Sequence, residues 1–266
     1  MTINYFDIHS HLYFTDYNSD REGVISKMKE LGIYTTAIGT NIDTSRQSVE
    51  LADKYENIYA SIGLHPGDIS ENSFNANFET LVINPKVVSV GECGFDFFRT
   101  PVEQINAEKE IQKVAFEQQV QFAIKHGKSL MIHARPSKGF MDAYEATLEV
   151  LETYAKQYGD KLTGNVHFFV GDKEVLKRFL DIGFTVSFTG VITFTRDYDE
   201  LVRYPALSQI HAETDAPFVA PTSQRGKRNS PEYIMEIVEA IAKIRGEDLE
   251  LVRSTLVENA KRLFKI

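Results

Sequence analysis

The chain has 266 residues, and its hydrophobic (42%) and charged (25%) fractions are those of a folded globular protein, which excludes a disordered chain. A single cysteine, Cys93, excludes an internal disulfide and a cysteine-rich zinc module. The formal net charge of −9 excludes a broad basic face for nucleic acid, although divalent cations bound in one cleft would reverse the field there.

Short β-rich runs alternate along the chain with longer segments of helical periodicity, a pattern that indicates βα units and a parallel sheet. Most of the short runs are continuously apolar, as strands covered on both faces are. The predicted strands are 4–9, 34–39, 58–64, 87–92, 129–133, 163–168, 184–188 and 209–214.

Helix signals lie between these runs. Ser19, followed three residues later by Glu22, predicts a capping box, and Ser230-Pro231 predicts an N-cap with proline in the first turn. A long helix is predicted over 103–126 and stops at Gly127. Its predicted buried face consists of Ile111, Val114, Ala115, Phe122 and Ala123.

Eight βα units predict a single-domain TIM-type (β/α)8 barrel over residues 1–266, with its active site at the carboxyl ends of the strands. An open doubly wound sheet is the alternative. No apolar run long enough to span a membrane and no signal-peptide pattern occur, so we expect a cytoplasmic protein without a membrane partner.

The histidines are not scattered evenly. Five of the seven lie at or just beyond the carboxyl end of a predicted strand, and in a barrel these positions converge on one mouth. They are His9, His11, His65, His133 and His167. We interpret the other two, His126 and His211, as structural residues of a helix end and a strand interior.

Two further features favour a metal site. The spacing of His9 and His11 places both imidazoles on one side of an extended segment, and Glu92 and Asp215 each follow an apolar strand run. Alone, the His pair also fits ordinary polar residues at a strand end, and each acid fits a solvated loop residue. Cys93 is expected to be a small buried neighbour rather than a ligand.

Six motifs together resemble the TatD-type deoxyribonucleases: DIHSH (7–11), GLHP (63–66), GECGFD (91–96), IHAR (132–135), HFFVG (167–171) and ETDAP (213–217). They occur in the order seen in that family. The resemblance runs from the first strand to Asn259 and includes the stretch 225–231. One departure is Phe168, where the family commonly has cysteine, and it puts substrate preference in doubt.

The resemblance implies a TIM-type barrel that holds two divalent metal ions, Mg²⁺, Mn²⁺ or Zn²⁺. Glu92 would bridge the two ions, and His65, Arg135 and Arg225 would bind the substrate phosphate, with His65 alternatively facing a further metal. The implied ligands are His9, His11, Glu92 and Asp215 for one ion and Glu92, His133 and His167 for the other.

A water shared by two cations could attack phosphorus, with Asp215 and Glu92 as the catalytic carboxylates and Asp215 taking the proton. This predicts a metal-dependent hydrolase, a TatD-like 3′–5′ exonuclease on single-stranded DNA and possibly on RNA. Nucleic acid is thus the expected partner, and no obligatory protein partner is indicated. The aromatics Phe14, Phe97, Phe98 and Phe218 could stack on bases, although in a chain with 18 phenylalanines packing in the core or in loops is the stronger interpretation of each.

Two other functions stay open. The same barrel could hydrolyse esters, lactones or amides, or deacylate aminoacyl-tRNA, because polarised water serves acyl chemistry equally well. A non-catalytic nucleic-acid-binding scaffold is the third possibility. Arg135 and the stretch from Arg225 to Arg228 favour phosphate over acyl substrates.

Overall fold

The computed structural model describes residues 2–266. Its eight parallel strands form one sheet in the order β1 to β8, with a helix or helical turn after each strand. The strands are β1 (Tyr5–Ser10), β2 (Ile33–Ile38), β3 (Ile58–Ile62), β4 (Val87–Asp96), β5 (Ser129–Arg135), β6 (Gly164–Val166), β7 (Thr185–Phe188) and β8 (Ile210–Ala212). All eight predicted strands are present, with β4 and β5 longer than predicted and β3, β6, β7 and β8 shorter.

The sheet curls until its two ends meet. The amide of Asp215, just after β8, donates to the carbonyl of His9 in β1 at 2.9 Å, and the amide of His11 donates to the carbonyl of Ala216 at 2.7 Å. These bonds join the first and last strands at their carboxyl ends. The predicted TIM-type (β/α)8 architecture is therefore confirmed, and the open doubly wound alternative is wrong.

The helices form the outer layer, and apolar side chains fill the space between them and the strands. Their bounds are α1 (Arg21–Leu31), α2 (Ile42–Lys54), α3 (Asn77–Val82), α4 (Ile105–His126), α5 (Asp142–Tyr158), α6 (Lys173–Asp181), α7 (Asp199–Arg203), α8 (Ile234–Arg245) and α9 (Leu249–Phe264). None of the helices in residues 2–266 has the length and apolar character needed to cross a bilayer.

A second apolar cluster closes the amino-terminal end of the barrel. Phe264 of α9 packs against Phe6 with ring centroids 5.7 Å apart, and Tyr34 and Val88, near the starts of their strands, belong to the same cluster. Because this end is filled by apolar side chains, the polar chemistry of the barrel is confined to the opposite mouth.

Strand β4 carries a bulge that depends on glycine. The register against β5 shifts between Val90 and Cys93, and Gly91 has a φ of 118°, a conformation that other residues rarely adopt. A Cβ on Gly91 would lie 2.2 Å from the carbonyl oxygen of Met131. The bulge therefore needs glycine, and it sets the position of the next residue, Glu92.

Two of the helix predictions need correction. Helix α1 begins at Arg21 after Asp20, and no side chain caps it, so the capping box at Ser19 and Glu22 is wrong. Ser230 does precede a 3-10 turn that starts at Pro231 and leads into α8, although it makes no side-chain cap bond.

Helix α4 ends at Gly127 as predicted, and Ala115, Phe122 and Ala123 are buried as predicted, but the buried face is rotated away from the other two predicted positions. Ile111 and Val114 are 53% and 59% exposed, whereas Gln112 and Gln119 are buried. The Gln119 amide bonds both the N–H and the carbonyl of Leu64, at 2.8 and 2.9 Å, so the helix turns its glutamines toward the barrel loops. The buried face of α4 therefore includes two amide side chains, and that of Gln119 satisfies the backbone of the loop after β3.

Candidate metal centre

Six predicted ligands from five strands meet at the carboxyl end of the barrel. His9, in β1, and His11 just after it face Glu92 in the β4 bulge. The remaining members of the cluster are His133 in β5, His167 directly after β6 and Asp215 after β8. All of them are buried except His133, which is half-buried.

Four of these groups form a compact cage. The Nε2 atoms of His9 and His11 are 3.2 Å apart, and each lies 3.6 to 3.7 Å from Oε2 of Glu92 and 3.5 to 3.6 Å from Oδ1 of Asp215. The imidazole nitrogens of His9 and His11 and a carboxylate oxygen of Asp215 lie within 4.8 Å of one another, and such a set of nitrogen and oxygen donors can bind one ion. The side chains thus fit a divalent cation.

The other oxygen of Glu92 faces a second group. Its Oε1 lies 2.7 Å from Nδ1 of His133 and 3.0 Å from Nε2 of His167, and these two nitrogens are 3.1 Å apart. His65 approaches the same oxygen, with Nε2 at 3.6 Å. A single carboxylate therefore separates two clusters of imidazole nitrogens.

Hydrogen bonds at the far side of two imidazoles decide which nitrogen carries a lone pair. Nδ1 of His11 donates to the carbonyl of Ile38 at 3.0 Å, which leaves Nε2 unprotonated toward the cage. Nε2 of His133 donates to Oδ2 of Asp96 at 3.0 Å, and this bond fixes the ring with Nδ1 directed at Glu92 and His167. A cation bound at the centre would take the place of the proton on Nδ1, so that both rings could then present an electron pair to it.

His65 has the opposite tautomer. Its Nδ1 accepts from the amide of Gly67 at 2.9 Å, so the proton resides on Nε2, the nitrogen that faces Glu92. Burial and the nearby charge of His133 lower the pKa of His65 to about 3, so the ring is neutral near pH 7. A neutral ring with Nε2–H directed inward is a hydrogen-bond donor to the centre.

Three acids that support the site were not singled out from the sequence, although each lies in one of its motifs. Asp96 bonds His133, and the buried Glu213 lies 3.7 Å from Nδ1 of His167 while accepting from the amide of Phe168. Asp7 is buried and accepts from the amide of Thr214 at 2.8 Å, which ties β1 to the loop after β8. Each could have been noticed as the remaining acid of its motif: Asp96 in GECGFD, Glu213 in ETDAP and Asp7 in DIHSH.

The centre is electrostatically coupled. Burial acts to raise the pKa of Glu92, but the charge of His167 and the hydrogen bonds from His133 and His167 hold it well below its usual value. Burial likewise opposes charge on His167, yet the carboxylates of Glu92 and Glu213 raise its pKa well above 6.5. Burial is also outweighed at Asp215, whose pKa is lowered by its bond to His11. The carboxylates are therefore ionised and available to a cation.

Two site positions have left-handed backbone without being glycine, Phe168 with a φ of 46° and Asp215 with a φ of 52°. The amide of Phe168 donates to Glu213, and the carbonyl of Asp215 accepts from the amide of Phe218 at 2.8 Å. Such conformations persist where surrounding bonds over-determine them, and they concentrate at functional sites.

The arginines predicted to bind phosphate lie at the mouth. Arg135, at the end of β5, has its guanidinium 4.0 Å from the ring of Phe98, and Arg225, after β8, lies 3.8 Å from the ring of Phe194. Arg228 forms a salt bridge with Asp20 at 2.7 Å, so its charge is already neutralised within the protein. The phosphate preference that we attached to the stretch from Arg225 to Arg228 therefore does not extend to Arg228.

The aromatic candidates divide in the same way. Phe98 and Phe218 are about half exposed, and Phe14 and Phe218 meet edge to face 5.6 Å apart beside His11. Phe97 is only 1% exposed, so it packs in the core, the interpretation favoured from the sequence, and is not available for stacking on bases. Backbone extension through β4 turns Phe97 into the core and the next residue outward.

The residues interpreted as structural lie apart from the cluster. His211 is buried in β8 with Nε2 3.1 Å from the hydroxyl of Thr185, and His126 ends α4 with Nε2 3.0 Å from Glu79. Cys93 is buried and touches the carbonyl of Met131 through its sulfur at 3.7 Å.

A parallel barrel with imidazoles and carboxylates at its mouth is the architecture of metal-dependent hydrolases. A family model described as TatD related DNase matches residues 6–265. The chain is 32% identical to the uncharacterized metal-dependent hydrolase YabD of Bacillus subtilis, over 98% of this chain and 99% of that protein. It is 31% identical to the 3′-5′ ssDNA/RNA exonuclease TatD of Salmonella typhimurium, over 98% and 99%. The chain belongs to the TatD related DNase family, and it is a metal-dependent hydrolase of that family.

Solved structures agree with the fold. The TatD homolog YJJV from Escherichia coli K12 superposes over 100% of both chains with a TM-score of 0.84 at 23% identity. A hydrolase TatD family protein from Entamoeba histolytica covers 99% of both chains with a TM-score of 0.80 at 20% identity. The resemblance seen in the six motifs is therefore confirmed at the level of family and fold.

Proposed function

We propose that this protein hydrolyses phosphodiester bonds of single-stranded nucleic acid, releasing nucleotides from the 3′ end at a centre of two divalent cations. The proposal rests on the position of the Glu92 carboxylate between two pairs of histidines: its Oε2 faces His9 and His11, and its Oε1 faces His133 and His167. A carboxylate shared in this way is the geometry expected of a bridge between two ions.

His9, His11, Glu92 and Asp215 would hold one ion, and Glu92, His133 and His167 would hold the other. Bound divalent ions supply Lewis acidity: they lower the pKa of water and offset charge that develops on phosphate oxygens. Imidazole-rich ligation suits Zn²⁺ and Mn²⁺, while the carboxylates also accept Mg²⁺. We therefore expect activity with one or more of these three metals.

The chain's own groups orient the reaction. Asp215 is ionised and keeps one oxygen 3.5 Å from His11, so its carboxylate can align a water at the cage and accept the proton released in the attack. His65 directs Nε2–H at the centre and can donate to an oxygen of the substrate phosphate. This tautomer favours phosphate binding by His65 over its role as a further metal ligand.

The relatives support a nucleic-acid substrate without deciding it. The Salmonella relative carries the name 3′-5′ ssDNA/RNA exonuclease, and the Bacillus relative carries only the name of a metal-dependent hydrolase. Within this chain, the unpaired arginines at the mouth favour phosphate over a neutral ester or amide substrate.

The test uses metal-stripped protein given Mg²⁺, Mn²⁺ or Zn²⁺ and offered end-labelled single-stranded DNA, RNA, a small phosphodiester and a panel of carboxylic esters. We expect metal-dependent shortening of the strands from the 3′ end, and loss of at least about 100-fold in kcat for Glu92→Gln and Asp215→Asn. Asp142→Asn, which alters a carboxylate on the neighbouring α5, is the control. Turnover of esters without cleavage of any phosphodiester would overturn the proposal.

A further inference from the structure

Arginines at the barrel mouth differ from those elsewhere in the protein. In residues 2–266, nine of the twelve arginine side chains make a hydrogen bond or a salt bridge. The three that make neither are Arg99, Arg135 and Arg225, and all three lie on loops or strand ends at the carboxyl end of the barrel. In a chain of net charge −9, three guanidinium groups without an acidic partner on one face form a local positive patch that can bind an anionic ligand.

Two of these arginines are stacked on exposed aromatic rings. Arg135 lies over Phe98, which is 47% exposed, and Arg225 lies over Phe194, which is 40% exposed. Each pair joins neighbouring loops, the first following β4 and β5 and the second following β7 and β8. The pairs therefore occupy two different sides of the same mouth.

Comparable stacks elsewhere in the described chain are built differently. Arg228 over Tyr17 also pairs with Asp20, and Arg253 over Tyr5 also pairs with Glu250. Those arginines have their charge neutralised within the protein and serve structure. At the mouth the charge is left for a ligand, and the planar group beside the ring extends a flat surface on which a base can stack.

We propose that the two pairs, Phe98 with Arg135 and Phe194 with Arg225, are stacking platforms that hold nucleotides on either side of the hydrolysed bond. This proposal rests on the proposed function, which supplies the nucleic-acid strand as the ligand. It assigns both arginines to the phosphates that neighbour the reacting phosphate, and not to the reacting phosphate itself. Bases must be unpaired to reach the platforms, so the platforms select single strands over duplexes. Arg99, beside Phe98, adds charge to the first platform.

The experiment measures binding of metal-loaded protein to fluorescent oligothymidylates whose 3′-terminal linkage is a phosphorothioate that resists cleavage. Affinity is expected to rise with length, up to a plateau within about 4–16 nucleotides, where the strand bridges both platforms. Duplexes of equal length are expected to bind more weakly. Equal affinity for a single nucleotide, which can reach only one platform, and for longer strands would overturn the proposal.

Variants separate charge from stacking. Arg135→Gln with Arg225→Gln should weaken strand binding about 100-fold and flatten the slope of log K against log salt by about 1.4, because two phosphate contacts are lost. Phe98→Ala with Phe194→Ala should weaken binding about tenfold or more with little change of slope. The matched control is Lys156→Gln with Lys161→Gln, which removes the same charge at the opposite end of the barrel, where both lysines are exposed.

The two proposals fail in different ways. If no phosphodiester is hydrolysed but the arginine variants lose strand affinity and salt dependence relative to the lysine control, the proposed function fails and the platforms stand. If strands are hydrolysed and the arginine variants bind like the lysine control, the platforms are overturned and the proposed function stands.

Discussion

Replacing Asp96 by asparagine tests whether a residue outside the candidate ligands controls the metal centre. Oδ2 of Asp96 accepts from Nε2 of His133 at 3.0 Å, and Oδ1 accepts from the amide of Phe98 at 3.0 Å. Asparagine has the same shape but only one acceptor oxygen, so one of these bonds is lost. If the Phe98 bond survives, an amide NH₂ faces the N–H of His133 and drives the ring toward its other tautomer.

The expected loss follows from these contacts. Leaving a buried polar group unpaired costs about 1–3 kcal/mol, and every 1.4 kcal/mol is a tenfold change in an equilibrium constant. This corresponds to a loss of about 10- to 100-fold in affinity for the cation that His133 would bind, which is the usual effect of removing such a partner. Because the other candidate ligands are untouched, affinity for the cation in the His9 and His11 cage should change little.

The assay is calorimetric titration of metal-stripped protein with Mn²⁺ or Zn²⁺, read beside kcat, KM and the melting temperature. We expect two binding events in the unchanged protein and weakening of one in Asp96→Asn, with kcat falling more than KM rises. Asp142→Asn is the control, because Asp142 also accepts a loop amide, that of Ser137 at 2.9 Å, but contacts no candidate ligand. Unchanged metal affinity in Asp96→Asn, or a change no larger than in the control, would refute the assignment of Asp96 as a positioning residue.

Three further outcomes are expected. Gly91→Ala should lower the free energy of unfolding by at least about 2 kcal/mol, or roughly 4–8 °C in melting temperature, because φ is 118° and the new Cβ meets the Met131 carbonyl. The control Gly183→Ala, with a φ of 82° but nothing within 4 Å of the new Cβ, should lose less, and equal losses would contradict the clash. Burial, aided by Arg262, lowers the pKa of His211 to about 3, so between about pH 6.5 and 3 only the unfolded chain binds a proton at this residue. The free energy of unfolding should therefore fall by about 1.4 kcal/mol per pH unit as the pH drops through this range. Chemical denaturation of His211→Asn should show a shallower fall, and an unchanged slope would refute this role of His211. Because Glu92 and Glu213 raise the pKa of His167, metal binding near pH 7 should release protons, and metal affinity should rise with pH. Calorimetric titration in buffers of different ionisation enthalpy measures the released protons, and metal affinity independent of pH would contradict the prediction.

The local pattern of the chain was enough to predict the barrel and the candidate ligands. Alternation of short apolar runs with helical segments follows from strands that are covered on both faces, and the carboxyl ends of parallel strands in a barrel must converge. A histidine at such an end, like His133 or His167, is therefore placed near the mouth by topology alone. The family that the motifs predicted is confirmed by the family model that matches residues 6–265.

Other features depend on contacts that no local pattern reports. The bond from His133 to Asp96 joins residues that lie 37 positions apart, and it forms where β4 and β5 pair beyond the glycine bulge. The rotation of α4 was missed because Gln119 finds backbone partners 55 residues away, which offsets the exposure of Ile111. Hydrogen bonding between distant segments is decided only when the chain is folded, since the strength of a bond depends on the position of both partners. For the same reason, the sequence could identify Arg135 and Arg225 as candidates for phosphate binding, whereas only the folded loops show which aromatic ring each arginine stacks on.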